Sequence, residues 1–173
     1  MRSKAAIEPP LRALLVGLVR GERNWPLTLW GLPGRGKTCA ALSLCDHVTE
    51  LQPKRNGEPV YGTYFWTVQE FYALVCAVKF GRHDGVGLED FRRRISRAAL
   101  IVLDELDRCD DVKNDRLEEV LSLVDAREGL PLILLANTSP DEVGRIYGAR
   151  LSSRMTQGVI YKISGVDRRN HKG

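Results

Sequence analysis

The run Gly31-Leu32-Pro33-Gly34-Arg35-Gly36-Lys37-Thr38 carries the clearest chemistry in the chain. Its glycines let the backbone turn tightly enough to aim successive N–H groups at an anion, and a helix beginning at Lys37 would add its positive dipole end. Lys37 is placed to reach the β- and γ-phosphates of a nucleotide, and the Thr38 hydroxyl to ligate magnesium. A glycine-rich turn can match this spacing by chance. Here the run lies between an apolar strand-like segment, Leu27 to Trp30, and a helix-patterned segment, Lys37 to Val48, which is the context a phosphate loop requires. ATP and Mg2+ are the expected ligands.

Hydrolysis needs further groups. The segment Leu100-Ile101-Val102-Leu103-Asp104-Glu105 ends an apolar run in two carboxylates. Asp104 is the candidate magnesium partner, through water, and Glu105 the candidate general base for the attacking water. An ordinary acidic strand end is the plainer alternative, disfavoured by the phosphate loop upstream. Asp107 and Asp110 fall beyond the strand and read as surface or loop acids. Asn137 follows the apolar run Leu132 to Ala136, so its amide should emerge at the same sheet edge and orient water against the γ-phosphate. By itself an asparagine there reads as a turn residue. Arg150 and Arg154 share a face if their segment is helical, and such an arginine can act in trans on a neighbouring subunit's transition state. Spacing alone fits a surface pair equally well.

These residues need elements to hold them. Short apolar runs alternate with segments of helical period, the pattern of a parallel sheet covered by helices. Strands are expected at 27–30, 60–66, 98–103, 132–136 and 159–163. Helices are expected at 10–20, 37–48, 68–80, 88–97 and 115–127, with Ala41, Leu42 and Cys45 inward in the second. Ser139-Pro140-Asp141-Glu142 reads as a capping box with proline at the first helical position. Residues 52–59 read as a loop and 81–87 as a flexible link. In 88–97, Phe91 and Ile95 face inward and Arg92, Arg93, Arg94 and Arg97 outward; a solvated basic face is the simpler account of the latter.

Composition narrows the function classes. At 43% hydrophobic and 28% charged, 173 residues suit one self-sufficient globular domain. No apolar stretch is long enough to cross a bilayer, and Pro9, Pro10 and Arg12 interrupt any signal-peptide core, so a cytoplasmic location is expected. Cys39, Cys45, Cys76 and Cys109 form no CxxC pair and read as buried reduced thiols; His47, His83 and His171 are isolated. A net charge of +4 permits a polyanionic partner without demanding one.

The order of these pieces resembles the AAA+ ATPases, and the wording is closer to the DnaC and DnaI helicase loaders and the IstB transposition helpers. The stretches GLPGRGKT, ALIVLDELD, LILLANTSPDEV and YGARLSSRM, followed by VIYKISGVDRR, carry the likeness. The last two decide the subfamily. The resemblance implies an α/β P-loop NTPase of the AAA+ (ASCE) type: a three-layer sandwich on a five-stranded parallel sheet, phosphate loop after the first strand and carboxylates after the third. It also implies Asn137 as sensor, Arg154 with Arg150 as trans arginine, and a reduced or absent helical lid. The expected layout is one domain, 1–173, with a lead-in helix in 1–26, a nucleotide-binding core in 27–165 and a basic tail in 166–173. Implied partners are single-stranded DNA, a replicative helicase or transposase, and further copies of the chain.

The leading functional expectation is thus an ATP-driven, helicase-loader-like replication factor, with a transposition helper as alternative. A P-loop small-molecule kinase fits less well, because Asp104-Glu105 suits water activation. A nucleotide-dependent binding module of negligible turnover is the fourth reading. DNA contacts would come from Arg92, Arg93, Arg94 and Arg97, from Lys54 and Arg55, and from Arg168, Arg169 and Lys172, with strong salt dependence. Tyr61, Tyr64 and Trp66 suit base stacking less well than core packing.

Overall fold

The apolar run Ala98 to Leu103 becomes an inner strand of the sheet. In the computed structural model, which describes residues 8–51, 54–55, 58–59, 61–83, 85–108 and 114–164, strand β5 (Ala98–Asp104) is buried at every position before Asp104. It lies between β4 (Tyr61–Thr67) and β6 (Leu132–Ala136), and beyond β6 come β1 (Leu27–Trp30) and β7 (Val159–Lys162). All neighbours in the order β4-β5-β6-β1-β7 run parallel. Parallel strands are covered on both faces by their crossover helices, which is why β5 and β6 are apolar throughout rather than alternating.

The two-residue period of a strand divides the core in two. Ile101 and Leu103 of β5, with Leu132 and Leu134 of β6, meet α3 (Val68–Lys79), α4 (Leu88–Arg97), α5 (Asn114–Ala126), α6 (Pro140–Tyr147) and α7 (Ala149–Gln157). Leu100, Val102, Ile133 and Leu135 point the other way, with Leu27 and Leu29, against α1 (Pro9–Val19) and α2 (Lys37–Leu51). The result is the expected three-layer α/β sandwich. Each fully buried Leu or Ile contributes on the order of 1.5–3 kcal/mol relative to exposure. Half-buried Tyr64 and Trp66 stack at 4.9 Å on the edge strand, and Trp66 leans on Phe71. They are part of the packing.

Helix starts follow the sequence closely. Ser139 caps α6 in a reciprocal capping box with Glu142, with Pro140 at the first helical position. A second box, Thr67 with Glu70, opens α3. In both, hydrogen bonds from the capping residue's backbone N–H and then its hydroxyl hold the glutamate's pKa below its ordinary value.

Some expectations need correction. The 52–59 loop holds a small antiparallel pair, β2 (Lys54–Arg55) with β3 (Glu58–Pro59). On α2 the buried stripe is Ala40, Ala41, Leu44 and Cys45; Leu42 lies one step off it and is half-buried. Cys39, on the far side of that helix, is exposed, not buried. Arg92, Arg93 and Arg94 are exposed as expected, with Arg92 paired to Glu89 and Arg93 to Asp90. Cys109, Asp110, His171 and the tail residues Arg168, Arg169 and Lys172 lie outside the described residues, as do the side chains of His47, Lys54 and Arg55. Among the described residues no helix is long and apolar enough to cross a membrane.

Candidate nucleotide site

Strand order alone brings the chemistry-bearing residues to one edge. Trp30 pairs with Ala136, and Leu134 with Leu103, so Gly31, Asn137 and Asp104 leave three adjacent strands at the same end. Because β6 sits between β1 and β5, Asn137 falls between the phosphate loop and the carboxylates. Ligands of open parallel sheets bind beyond these carboxyl ends.

The loop needs its glycines. Gly31 has φ +143°, and a Cβ there would lie 2.5 Å from the Ile163 carbonyl oxygen. Gly34 and Gly36 also have positive φ, and Ala40 N donates to Gly36 O as the helix begins. Lys37, buried at 7% exposure, turns its ammonium back into the loop. Its Nζ donates to Gly31 O (2.5 Å), Leu32 O (3.1 Å) and Asn137 Oδ1 (2.9 Å). These are acceptors that phosphate oxygens can replace.

Thr38 Oγ1 donates to Asp104 Oδ2 at 3.2 Å, and Glu105 N to Asp104 Oδ1 at 2.7 Å. Burial pushes the Asp104 carboxyl above its ordinary pKa, partly opposed by those two bonds and by Lys37. A nearby cation would reverse that tendency. Among the described residues no group of three or more His, Cys, Asp or Glu could hold a metal. The adjacent Thr38 and Asp104 oxygens are hard donors of the kind that could hold a cation such as Mg2+. Glu105 is the one non-glycine residue of positive φ (61°) among those described, a conformation that costs of order 1 kcal/mol or more and is typical of functional positions. Its carboxylate pairs with exposed Arg108 at 2.7 Å, an ion pair the sequence reading did not foresee.

Asp107 corrects the sequence reading. It is no idle loop acid: its Oδ1 accepts from Asn137 N (2.9 Å) and Nδ2 (3.3 Å), and its Oδ2 from Nδ2 (3.1 Å). Leu106 explains the placement, since it is fully buried and its N–H donates to Leu135 O, keeping the chain beside β6 past the strand end. An apolar residue directly after the acidic pair was the available signal. Arg150 and Arg154 do share one face of α7, and both ion-pair with Asp125 of α5. Arg154 also reaches Glu128 (2.8 Å) and Gln157 (3.3 Å). Lys37 is thus joined to Asn137, and Thr38 to Asp104, around the loop, with Glu105 following Asp104. The hydrogen bonds of the two arginines lead to Asp125, Glu128 and Gln157 of their own chain.

No family model matches the sequence, and no curated protein does. Solved structures do match. A crystal structure of the DnaC helicase loader superposes with a TM-score of 0.72 at 18% identity, over 94% of this chain and 95% of that one. AMPPCP-bound DnaA from Aquifex aeolicus gives 0.72 at 15% identity, over 95% of this chain. The replication initiator DnaA bound to AMPPCP and single-stranded DNA gives 0.67 at 18% identity, over 94%. The chain spans about half the length of these DnaA chains, 50% and 52%. With its all-parallel five-stranded sheet and a phosphate loop after the first strand, this chain has the P-loop NTPase fold of the AAA+ type, as DnaC does.

Proposed function

We propose that this protein binds ATP with Mg2+ and hydrolyses it as a helicase-loader-like replication factor that assembles on single-stranded DNA. The observation that carries the reading is the pair of hydrogen bonds at one sheet edge, Lys37 to Asn137 and Thr38 to Asp104, beside the glycine loop. Backbone N–H groups of Gly31 to Thr38, with Arg35 in the loop, cradle the phosphates, and Lys37 exchanges carbonyl oxygens for phosphate oxygens. Thr38 and, through water, Asp104 would hold Mg2+, which when bound would supply positive charge beside the phosphates. Glu105 takes a proton from the attacking water as the bond to the bridging oxygen breaks. Its ion pair with Arg108 is exposed and weak enough to yield.

Arg154, with Arg150, supplies the trans arginine once copies assemble and the bonds to Asp125 give way. Exposed Arg92, Arg93 and Arg94, with Arg97, are the DNA-facing candidates on α4, beside an expected contact with a replicative helicase or transposase. DnaC and DnaA as structural neighbours favour the replication role over transposition.

The test is ATP hydrolysis by the purified protein across a range of concentrations, with and without single-stranded DNA, alongside Glu105→Gln and Arg154→Ala. Specific activity should rise with concentration and with DNA. Glu105→Gln should bind ATP but lose hydrolysis by about 10²-fold or more, and Arg154→Ala should remove the concentration-dependent part. Turnover indifferent to DNA and concentration would overturn the loader reading. Full turnover by Glu105→Gln would remove its assignment as base.

A further inference from the structure

Asn137 has two chemically opposite edges, and its neighbours decide which one faces the nucleotide. On one side a carboxylate accepts from Nδ2 through both of its oxygens; on the other an ammonium donates to Oδ1. Reversing the amide would set its oxygen against the Asp107 carboxylate and its NH2 against the Lys37 ammonium, replacing attraction by repulsion on both sides. The backbone bond from Asn137 N fixes the carboxylate as well, so it is tied to the residue it orients. Leu106, buried and hydrogen-bonded to Leu135 O, holds the Asp107 backbone from the other side.

We infer that Asp107 is a positioning residue that locks Asn137 with its oxygen toward the phosphate loop, so that Asn137 acts on the attacking water as an acceptor and not on the γ-phosphate as a donor. The inference rests on the ATPase reading and specifies the polarity of its sensor. When Lys37 moves onto the phosphates, the Asn137 oxygen loses a donor at a place where phosphate offers only acceptors. Water restores one. Its two protons then point to two acceptors, Glu105 and Asn137, which leaves an oxygen lone pair directed at phosphorus. As the new P–O bond forms, the bond from phosphorus to the bridging oxygen breaks, with ADP leaving with that electron pair. One proton passes to Glu105; the other stays on the phosphate formed.

The experiment compares wild type, Asp107→Ala, Asp107→Asn, Asn137→Ala and the Asp107→Ala/Asn137→Ala double variant by kcat, KM, ATP affinity and Tm. Asp107→Ala should lose kcat on the order of tenfold or more while binding ATP nearly as wild type, since the amide is then free to turn. Combined with Asn137→Ala it should cause no further loss, because Asp107 acts only through that amide. Asp107→Asn, whose oxygen can still accept, should recover part of kcat, and it carries the test if the alanine variant does not fold. Additive losses in the double variant would overturn the inference. So would full kcat in Asp107→Ala. Wild type that binds ATP without hydrolysing it would instead overturn the ATPase reading beneath it.

Discussion

Strand β6 has a buried cation at each end, and the two are held in opposite ways. Where the strand begins, Arg127 (1% exposed) donates through Nη1 to Ile95 O, Ser96 O and Ala98 O and through Nη2 to Pro131 O, fastening the end of α4 to the entries of β5 and β6. Where it ends, Lys37 (7% exposed) donates to two loop carbonyls and an amide oxygen. A guanidinium is planar, permanently charged and rigid in its donor directions; an ammonium is compact and its donors rotate on a flexible stem. The arginine thus closes its end for good. The lysine holds neutral acceptors that an anion can displace.

The largest expected effect falls on the closed end. Arg127→Met should leave several buried carbonyls without donors and lower stability by about 3 kcal/mol, roughly 10 °C in Tm, with ATP affinity of the folded protein unchanged. Arg127→Lys should recover only a part, because one ammonium cannot reproduce the fork. Thermal unfolding checks both, and an unaltered Tm would break the contrast. Lys37→Ala should do the reverse: ATP affinity falls on the order of 10²-fold by calorimetric titration, while stability moves by less than about 1 kcal/mol. A large loss of Tm there would make the lysine a structural pin too.

The smallest effect sharpens the contrast. Both capping boxes lie at the site end, since Thr67 pairs with Asp104 in register and Ser139 follows Asn137 closely. Ser139→Ala should lower stability by about 1 kcal/mol at neutral pH. Glu70 and Glu142 have lowered pKa values, so the folded state binds fewer protons than the unfolded one between the lowered and ordinary values. Their contribution is present above the ordinary glutamate pKa and lost as pH falls through the lowered one. The Ser139→Ala difference should shrink over that interval, whereas the Arg127→Met difference should not.

What the sequence revealed follows the same division. The phosphate loop, Asp104-Glu105 and the Ser139 box are legible because their residues act within a few positions of one another, and apolar runs on either side fix the strands. Asp107 and Arg127 were missed because their partners are about thirty residues away: Asn137 for one, Ile95 and Ala98 for the other. Read locally, Asp107 is an acid after a strand and Arg127 a basic residue ending a helix. Only the placement of β6 beside β5 gives each its acceptor or donor. The arginine pair shows the converse: its shared face was legible, but its acidic partners Asp125 and Glu128 were not.

Glu105, set in a left-handed backbone conformation at the exit of β5, pits durability against turnover. Glycine or asparagine would relax that backbone while removing the proposed base. Variants selected for heat resistance alone should therefore drift toward those residues at position 105, and toward a sturdier protein that no longer turns over.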